Sequence, residues 1–182
     1  MSAEAVLQNI RTRRVTRYYT DQPVPREHLM AVLEAGRWAP SGGNRRLHRF
    51  IVVQDPVTIR LLNAVTPGML GVPTALVVIC IDWAKVAQIG CKPHHLGVYI
   101  DVGTGAENML LSAHALGLGA GPVTSFSKAG VSMILNLPEW LTPEMMVCLG
   151  YPAPHQPFGR TLPRRSTRLD DLVCWEGFPG HS

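Results

Sequence analysis

GVYIDVGTGAENMLLSAHALGLG, residues 97–119, carries the longest regular pattern in the chain. Ile100, Ala106, Met109, Leu110, Ala113 and Leu116 recur at helical spacing, and Gly117 and Gly119 close the run as a glycine C-cap does, so the spacing predicts a helix from Gly97 to Leu116. Gly103, Gly105, Ala106, Ser112, Ala113 and Ala115 interleave with larger side chains, which allows a second helix to pack closely. Upstream, after a Pro67-Gly68 turn, TALVVICID at 74–82 is an almost unbroken apolar run of the kind buried on both faces of a sheet. The intervening WAKVAQIGCKPHHL at 83–96 has no clear period and reads as an irregular or partly helical excursion.

Working outward, Arg49–Gln54 reads as a strand and 56–65 as a helix. Pro25-Arg26-Glu27 opens a helix with Leu29, Met30, Val32 and Leu33 on its apolar face, stopping near Trp38-Ala39-Pro40. Val6, Leu7 and Ile10 mark a short helix over 3–12. Downstream, Pro122–Phe126 is extended, Lys128–Leu135 helical, and Pro138 and Pro143 punctuate a turn before a last core strand, MMVCLGYP at 145–152. The tail from Ala153 to Ser182 contains Leu169, Leu172, Val173, Trp175 and Phe178. Such a tail is too apolar to hang in water, so it is expected to pack on a partner subunit.

With 182 residues and 46% hydrophobic content, the chain is expected to form one globular domain over 1–182. It holds no apolar run of about eighteen residues, and MSAEAVLQNI lacks the basic start of a secretory signal, so a soluble cytoplasmic protein with no membrane partner is expected. Cys80, Cys91, Cys148 and Cys174 are widely spaced and expected to be reduced. The net charge of +4 is modest, and its basic residues cluster at 11–17, 45–49, 60 and 160–168. That clustering fits a local anion site better than duplex DNA, which argues against a nucleic-acid partner.

Two segments carry the chemistry. IRTRRVTRYY at 10–19 gathers four arginines behind a helix, and WAPSGGNRRLHRF at 38–50 offers Ser41, two glycines and Asn44 in a tight loop before a strand. Arginine presents a fixed fork of donors to phosphate oxygens, and glycine lets backbone amides come close, so the pair suits a phosphorylated, planar organic ligand.

Taken in order, the arginine element after the first helix, the APSxxN loop, the IDxxxxxxNxLLxAxxLGLG helix and the LGYP strand end resemble the FMN-dependent nitroreductase family from about Ile10 to Phe178. The resemblance implies an α+β fold with a central mixed β-sheet flanked by helices, built as an intertwined homodimer with FMN at the subunit interface. Its C-terminal segment, 153–182 here, would cross to the partner. By the same resemblance, Arg13 and Arg14 match the phosphate and ribityl contacts, and Arg17 the basic residue at the flavin pyrimidine edge. Ser41, Gly42 and Asn44 match the loop that approaches FMN from the other subunit. Pro122, Val123, Thr124 and Ser125 match the stretch along one flavin face, with a Thr124 or Ser125 amide toward N5. Arg164 and Arg165, or Arg168, match the C-terminal basic residues that close on the phosphate.

The chain departs from the family pattern at Val15, which replaces a common serine; at Arg46-Leu47-His48, which replaces Gln-Pro-Trp; and at Thr124, where many members carry glutamate. VTPGMLG likewise lacks the lysine seen before the second long strand. Arg46 and His48 face either substrate or solvent, and Phe126 either walls the pocket or packs in the core. Asp101 and Glu107-Asn108 are expected to be interface or capping groups satisfied by arginines. Trp38, Trp140 and Trp175 read as core or interface aromatics. Cys91, His94 and His95 are metal-ligand types without a second cluster to complete a site, so no metal is expected.

The function implied is a two-step hydride shuttle from NADH or NADPH through flavin N5 to a nitroaromatic, quinone or related small acceptor, with no catalytic side chain required. Two alternatives remain at this point. One is an FMN-sequestering protein without turnover, with 83–96 as a lid. The other is a specialised flavin oxidase or dehalogenase-like member.

Overall fold

The structure, a computed structural model, describes residues 2–92, 95–154 and 167–177. The chain runs α1 (Ala3–Thr12), α2 (Arg26–Arg37), a 3-10 turn (Gly42–Asn44), β1 (His48–Val53), α3 (Pro56–Ala64), β2 (Ala75–Asp82), α4 (Trp83–Gln88), α5 (Leu96–Ala115), β3 (Gly119–Val123), α6 (Lys128–Ile134), β4 (Leu141–Gly150) and a second 3-10 turn (Leu169–Asp171). The strands form one sheet in the order β1-β2-β4-β3, with every ladder antiparallel. Among the described residues, the parallel component expected of a mixed sheet is a single bridge, Val15 to Ala120, on the outer side of β3.

All eight residues of β2 are buried, as its unbroken apolar run demands. Alternation decides where each goes. Ala75, Val77, Ile79 and Ile81 meet one core with Val147 and Leu149 of β4 and the buried faces of α2 and α5; Leu76, Val78 and Cys80 meet a second with Met146, Cys148, α3 and α6. Burial of a large aliphatic side chain is worth about 1.5–3 kcal/mol, so this strand alone commits the sheet to a covering layer on each side.

α5 ends as its glycine promises. The amides of Gly117 and Leu118 donate to the carbonyls of His114 and Ala113, and Gly117 takes φ +74, the left-handed conformation of a Schellman cap. Gly119 opens β3 instead of sharing the cap, so the extended segment begins three residues before Pro122 and ends at Val123, leaving Thr124–Phe126 beyond it. Pro143 lies inside β4 opposite Cys80, where the register shifts, and not in a turn. A bulge is where a strand tolerates a residue with no N–H. The excursion after β2 is partly helical, as read, with Asp82 accepting the Lys85 amide to start α4.

Residues 15–20 lie along the rim of β3 and β4. Thr16 N–H donates to Ala120 O (2.9 Å), Thr20 N–H to Tyr151 O (2.9 Å) and Ala153 N–H to Tyr18 O (3.1 Å). Glycines make the approach possible. A Cβ on Gly121 would sit 2.5 Å from the Thr16 carbonyl oxygen, and one on Gly71 would strike the carbonyl of Arg17. Gly121→Ala is therefore expected to lower the free energy of urea unfolding by about 1–3 kcal/mol, since backbone must move on one side or the other; an unchanged midpoint would refute the close-approach reading.

Candidate functional site

α1 delivers the arginine cluster by docking on α5. Asn9 Nδ2 donates to Leu111 O (3.0 Å), and Thr12 Oγ1 lies 2.9 Å from His114 Nε2. Arg13, the C-cap of α1, places Nε 3.6 Å from Glu107, while its Nη1 is buried with no hydrogen-bond partner among the described residues. Arg14 Nη1 donates to the carbonyls of Arg11 (2.6 Å) and Arg13 (2.8 Å), which folds the exposed side chain back over the helix end. Val15 bridges to Ala120, and Arg17 Nη1 donates to Pro122 O at 3.4 Å. Val15, Arg17, Pro122 and Val123 thus share the β3 rim, with Arg13 and Arg14 just before it at the end of α1. Thr124 and Ser125 follow directly, both exposed, with the Ser125 carbonyl taking the Gly68 amide.

A second group sits further toward the start of α5. Gly42 N–H donates to both carboxylate oxygens of Asp101 (3.0 and 3.2 Å), and Thr104 Oγ1 donates to Pro40 O (3.1 Å). Within the loop, Ser41 Oγ accepts from the Arg46 amide and Asn44 N–H donates to Ser41 O, with Asn44 and Arg46 at φ +56 and +48. Ser41, Gly42 and Asn44 are thus tethered at Asp101, and Arg13 at Glu107. Six residues along a helix are about 9 Å of rise, so one helix spaces the two groups.

Asp101 is satisfied by a backbone amide and not by an arginine, which corrects the expectation for that residue; Glu107 does face Arg13, and Asn108 donates to Ala35 O. Phe126 packs against the core of Met146 and Cys148. Trp38, Trp140 and Trp175 are all exposed, so none is a core aromatic. Arg46 spends its Nε on Arg37 O (3.1 Å). His48 is 8% exposed, so the solvent alternative falls. Arg164, Arg165, His94 and Phe178 lie outside the described residues. The Asp101 anchor was not legible in the sequence, because 59 positions separate it from Gly42 and only the fold brings them together.

The four cysteines are free; burial pushes the Cys80 and Cys148 thiols up to about 12, so both stay protonated. Among the described residues no helix is long and apolar enough to cross a membrane.

The family model described as the nitroreductase family matches residues 10–89 and 67–151. The chain belongs to the nitroreductase family. It is similar to an Archaeoglobus fulgidus protein provisionally named an NADH dehydrogenase/NAD(P)H nitroreductase, 34% identical over 85% of this chain and 90% of that one. It is also similar to a Thermus thermophilus NADH dehydrogenase, 29% identical over 90% and 92%. Among solved structures, a provisionally assigned nitroreductase from Desulfovibrio desulfuricans in complex with FMN superposes with a TM-score of 0.80 at 32% identity, covering 98% of this chain and all of that one. The described residues therefore carry the family fold.

Beside the Asp101 loop, His48 stacks on Phe50 (5.0 Å between ring centroids), with its Nδ1 buried and unpartnered among the described residues. Burial holds the imidazole below the ordinary histidine value; Asp101 opposes this, while Arg46 and Arg49 reinforce it. As pH falls below about 6.5, the unfolded chain takes up a proton at this position and the folded chain resists, so stability declines there and is unaffected above. Urea unfolding followed from about pH 7 to pH 5 should show this slope flattened in His48→Gln; an equal slope in both proteins would contradict the assignment.

Proposed function

We propose that this protein is an FMN-dependent NAD(P)H oxidoreductase that passes hydride to a nitroaromatic, quinone or related small acceptor. The observation that carries the reading is the segment from Arg13 to Arg17, where Arg13 holds a buried nitrogen with no partner among the described residues and Arg17 donates to the Pro122 carbonyl. An unpaired buried guanidinium nitrogen is costly unless something acceptor-rich completes it, and a phosphate or ribityl oxygen does so. The residues present fit FMN on that ground. Arg13 and Arg14 would hold its phosphate and ribityl oxygens, Arg17 its pyrimidine edge, and the Pro122–Ser125 backbone one ring face.

When bound, FMN supplies hydride transfer through N5. The chain supplies position and charge. Arg17 places a permanent cation where negative charge must be accommodated, and β3 keeps the Pro122–Ser125 backbone fixed beside it. No side-chain nucleophile or base is needed. A nitro acceptor consumes one NAD(P)H and one proton and leaves as the nitroso compound, NAD(P)+ and water. A cytoplasmic setting agrees with four unpaired cysteines.

The working unit in this reading is a homodimer, and 1–182 a single domain. Ile100 is 64% exposed on α5, Leu96 is exposed beside it, and the Val6, Leu7 and Ile10 stripe of α1 is about half open. A second copy burying these would bring its Ser41–Asn44 loop to the rim of the first, and 153–182 would pack on the partner. Leu169, Leu172 and Trp175 are exposed in the described part of that tail.

The purified protein should show a flavin absorption band on adding FMN and lose it on adding NADH or NADPH under nitrogen. A band that survives the nicotinamide would establish a storage protein instead. Arg13→Ala or Arg17→Ala is expected to weaken FMN binding by about tenfold or more, measured by fluorescence titration, as loss of a charge-assisted contact of about 1.5–3 kcal/mol would. Sedimentation should find a dimer that Ile100→Asp dissociates, with FMN lost in parallel; a monomeric parent that holds FMN would refute the dimer.

A further inference from the structure

Between the Gly42–Asn44 turn and the start of α5 lies a cavity of about 290 Å³. Leu47, Ile89 and Val98 give it apolar walls, and Gly42, Gly43 and Gly97 contribute backbone without side chains. Arg45 borders it. The Arg45 stem lies across Gly43, where an added Cβ would meet Nε at 3.1 Å and two side-chain carbons at 3.5 Å, and where φ is +61. Glycine at 43 therefore both makes the turn and leaves room for the guanidinium to lie there.

Among the described residues no carboxylate lies within ion-pair distance of Arg45. Arg13, Arg37 and Arg49 each face a carboxylate, whereas the polar contact of Arg45 is Nη1 to Cys91 Sγ at 3.9 Å. A thiol sulfur is a weak acceptor. Asp101 shares the cavity, but it is 6% exposed and both of its oxygens take the Gly42 amide. His95 uses Nδ1 to accept the Gly97 amide. Of the two residues that the sequence leaves between substrate and solvent, Arg46 turns its Nε to Arg37 O and His48 is buried, and neither lines this cavity, whereas Arg45 does.

We propose that Arg45 is the specificity-determining residue of this site, and that the cavity takes a planar aromatic acceptor carrying a carboxylate. The ring lies among Leu47, Ile89 and Val98, and the carboxylate pairs with the guanidinium fork. The volume sits at the lower end of ligand pockets, right for one substituted ring. The inference rests on the oxidoreductase reading above. In the reduction the carboxylate is a spectator: 4-nitrobenzoate, NAD(P)H and a proton give 4-nitrosobenzoate, NAD(P)+ and water.

The test pairs binding with turnover. Calorimetric titration of the FMN-loaded protein with benzoate and with benzamide, neither reducible, should favour benzoate, and Arg45→Ala should cut the benzoate-to-benzamide affinity ratio about tenfold, with Arg45→Lys restoring most of it. The ratio of kcat/KM for 4-nitrobenzoate over 4-nitrobenzyl alcohol should fall in parallel. Equal affinities in the parent, or a ratio that Arg45→Ala leaves alone, overturns the assignment of Arg45 while FMN binding and nicotinamide oxidation stand. Failure of those two instead removes the oxidoreductase reading, and this inference with it.

Discussion

Val98, Val102, Ala106, Met109 and Ala113 bury one face of α5 against Val77, Ile79, Val147 and Leu149, and that burial fixes the helix lengthwise across the sheet. At about 25 cal/mol per Å² of apolar surface, it is strong enough to hold a long helix whose outer face is left open. The polar groups of α5 are then carried on a rigid rod. Asp101 catches the Gly42 amide, Thr104 the Pro40 carbonyl, Glu107 the Arg13 guanidinium, and His114 the Thr12 hydroxyl. Without that packing, the loop and the arginine cluster have no common frame.

The second constraint is the narrow edge of the sheet. A strand edge presents unpaired amides and carbonyls, and residues 15–20 cover it with backbone hydrogen bonds instead of side-chain bulk. Gly71 and Gly121 set how near that segment can come, and nearness brings Arg17 within reach of the Pro122 carbonyl. Tyr19 locks the same turn by donating to Thr16 O at 2.8 Å. The charged groups at the rim are thus positioned by small residues that carry no charge.

Most element types were legible because their patterns have physical periods. The buried run at 74–82 could only be a covered strand, and Pro25 and Gly117 mark a helix start and a helix end through φ and hydrogen-bonding constraints intrinsic to those residues. What failed depended on neighbours. Pro143 looked like a turn residue until β2 supplied a bulge opposite it, and the apolar spacing of α5 did not show that Ile100 faces outward while Val98 and Val102 are buried. Phe126 could not be apportioned between pocket and core until Met146 and Cys148 closed around it. In the site, the arginines and the glycine loop were readable from residue chemistry, whereas the pairing of Arg45 with an apolar cavity was not.

By itself the sequence determined the local alphabet of this protein: which segments bury both faces, where helices stop, and that donors suited to a phosphorylated aromatic cluster at 11–17 and 41–46. Those properties follow from side-chain chemistry and short-range sterics, which act between near neighbours. Tertiary structure alone decided which carboxylate meets which donor, that Arg46 is engaged while Arg45 is left open, and that His48 is buried beside the loop. Those are distances between residues far apart along the chain, and only packing of the helices on the sheet sets them.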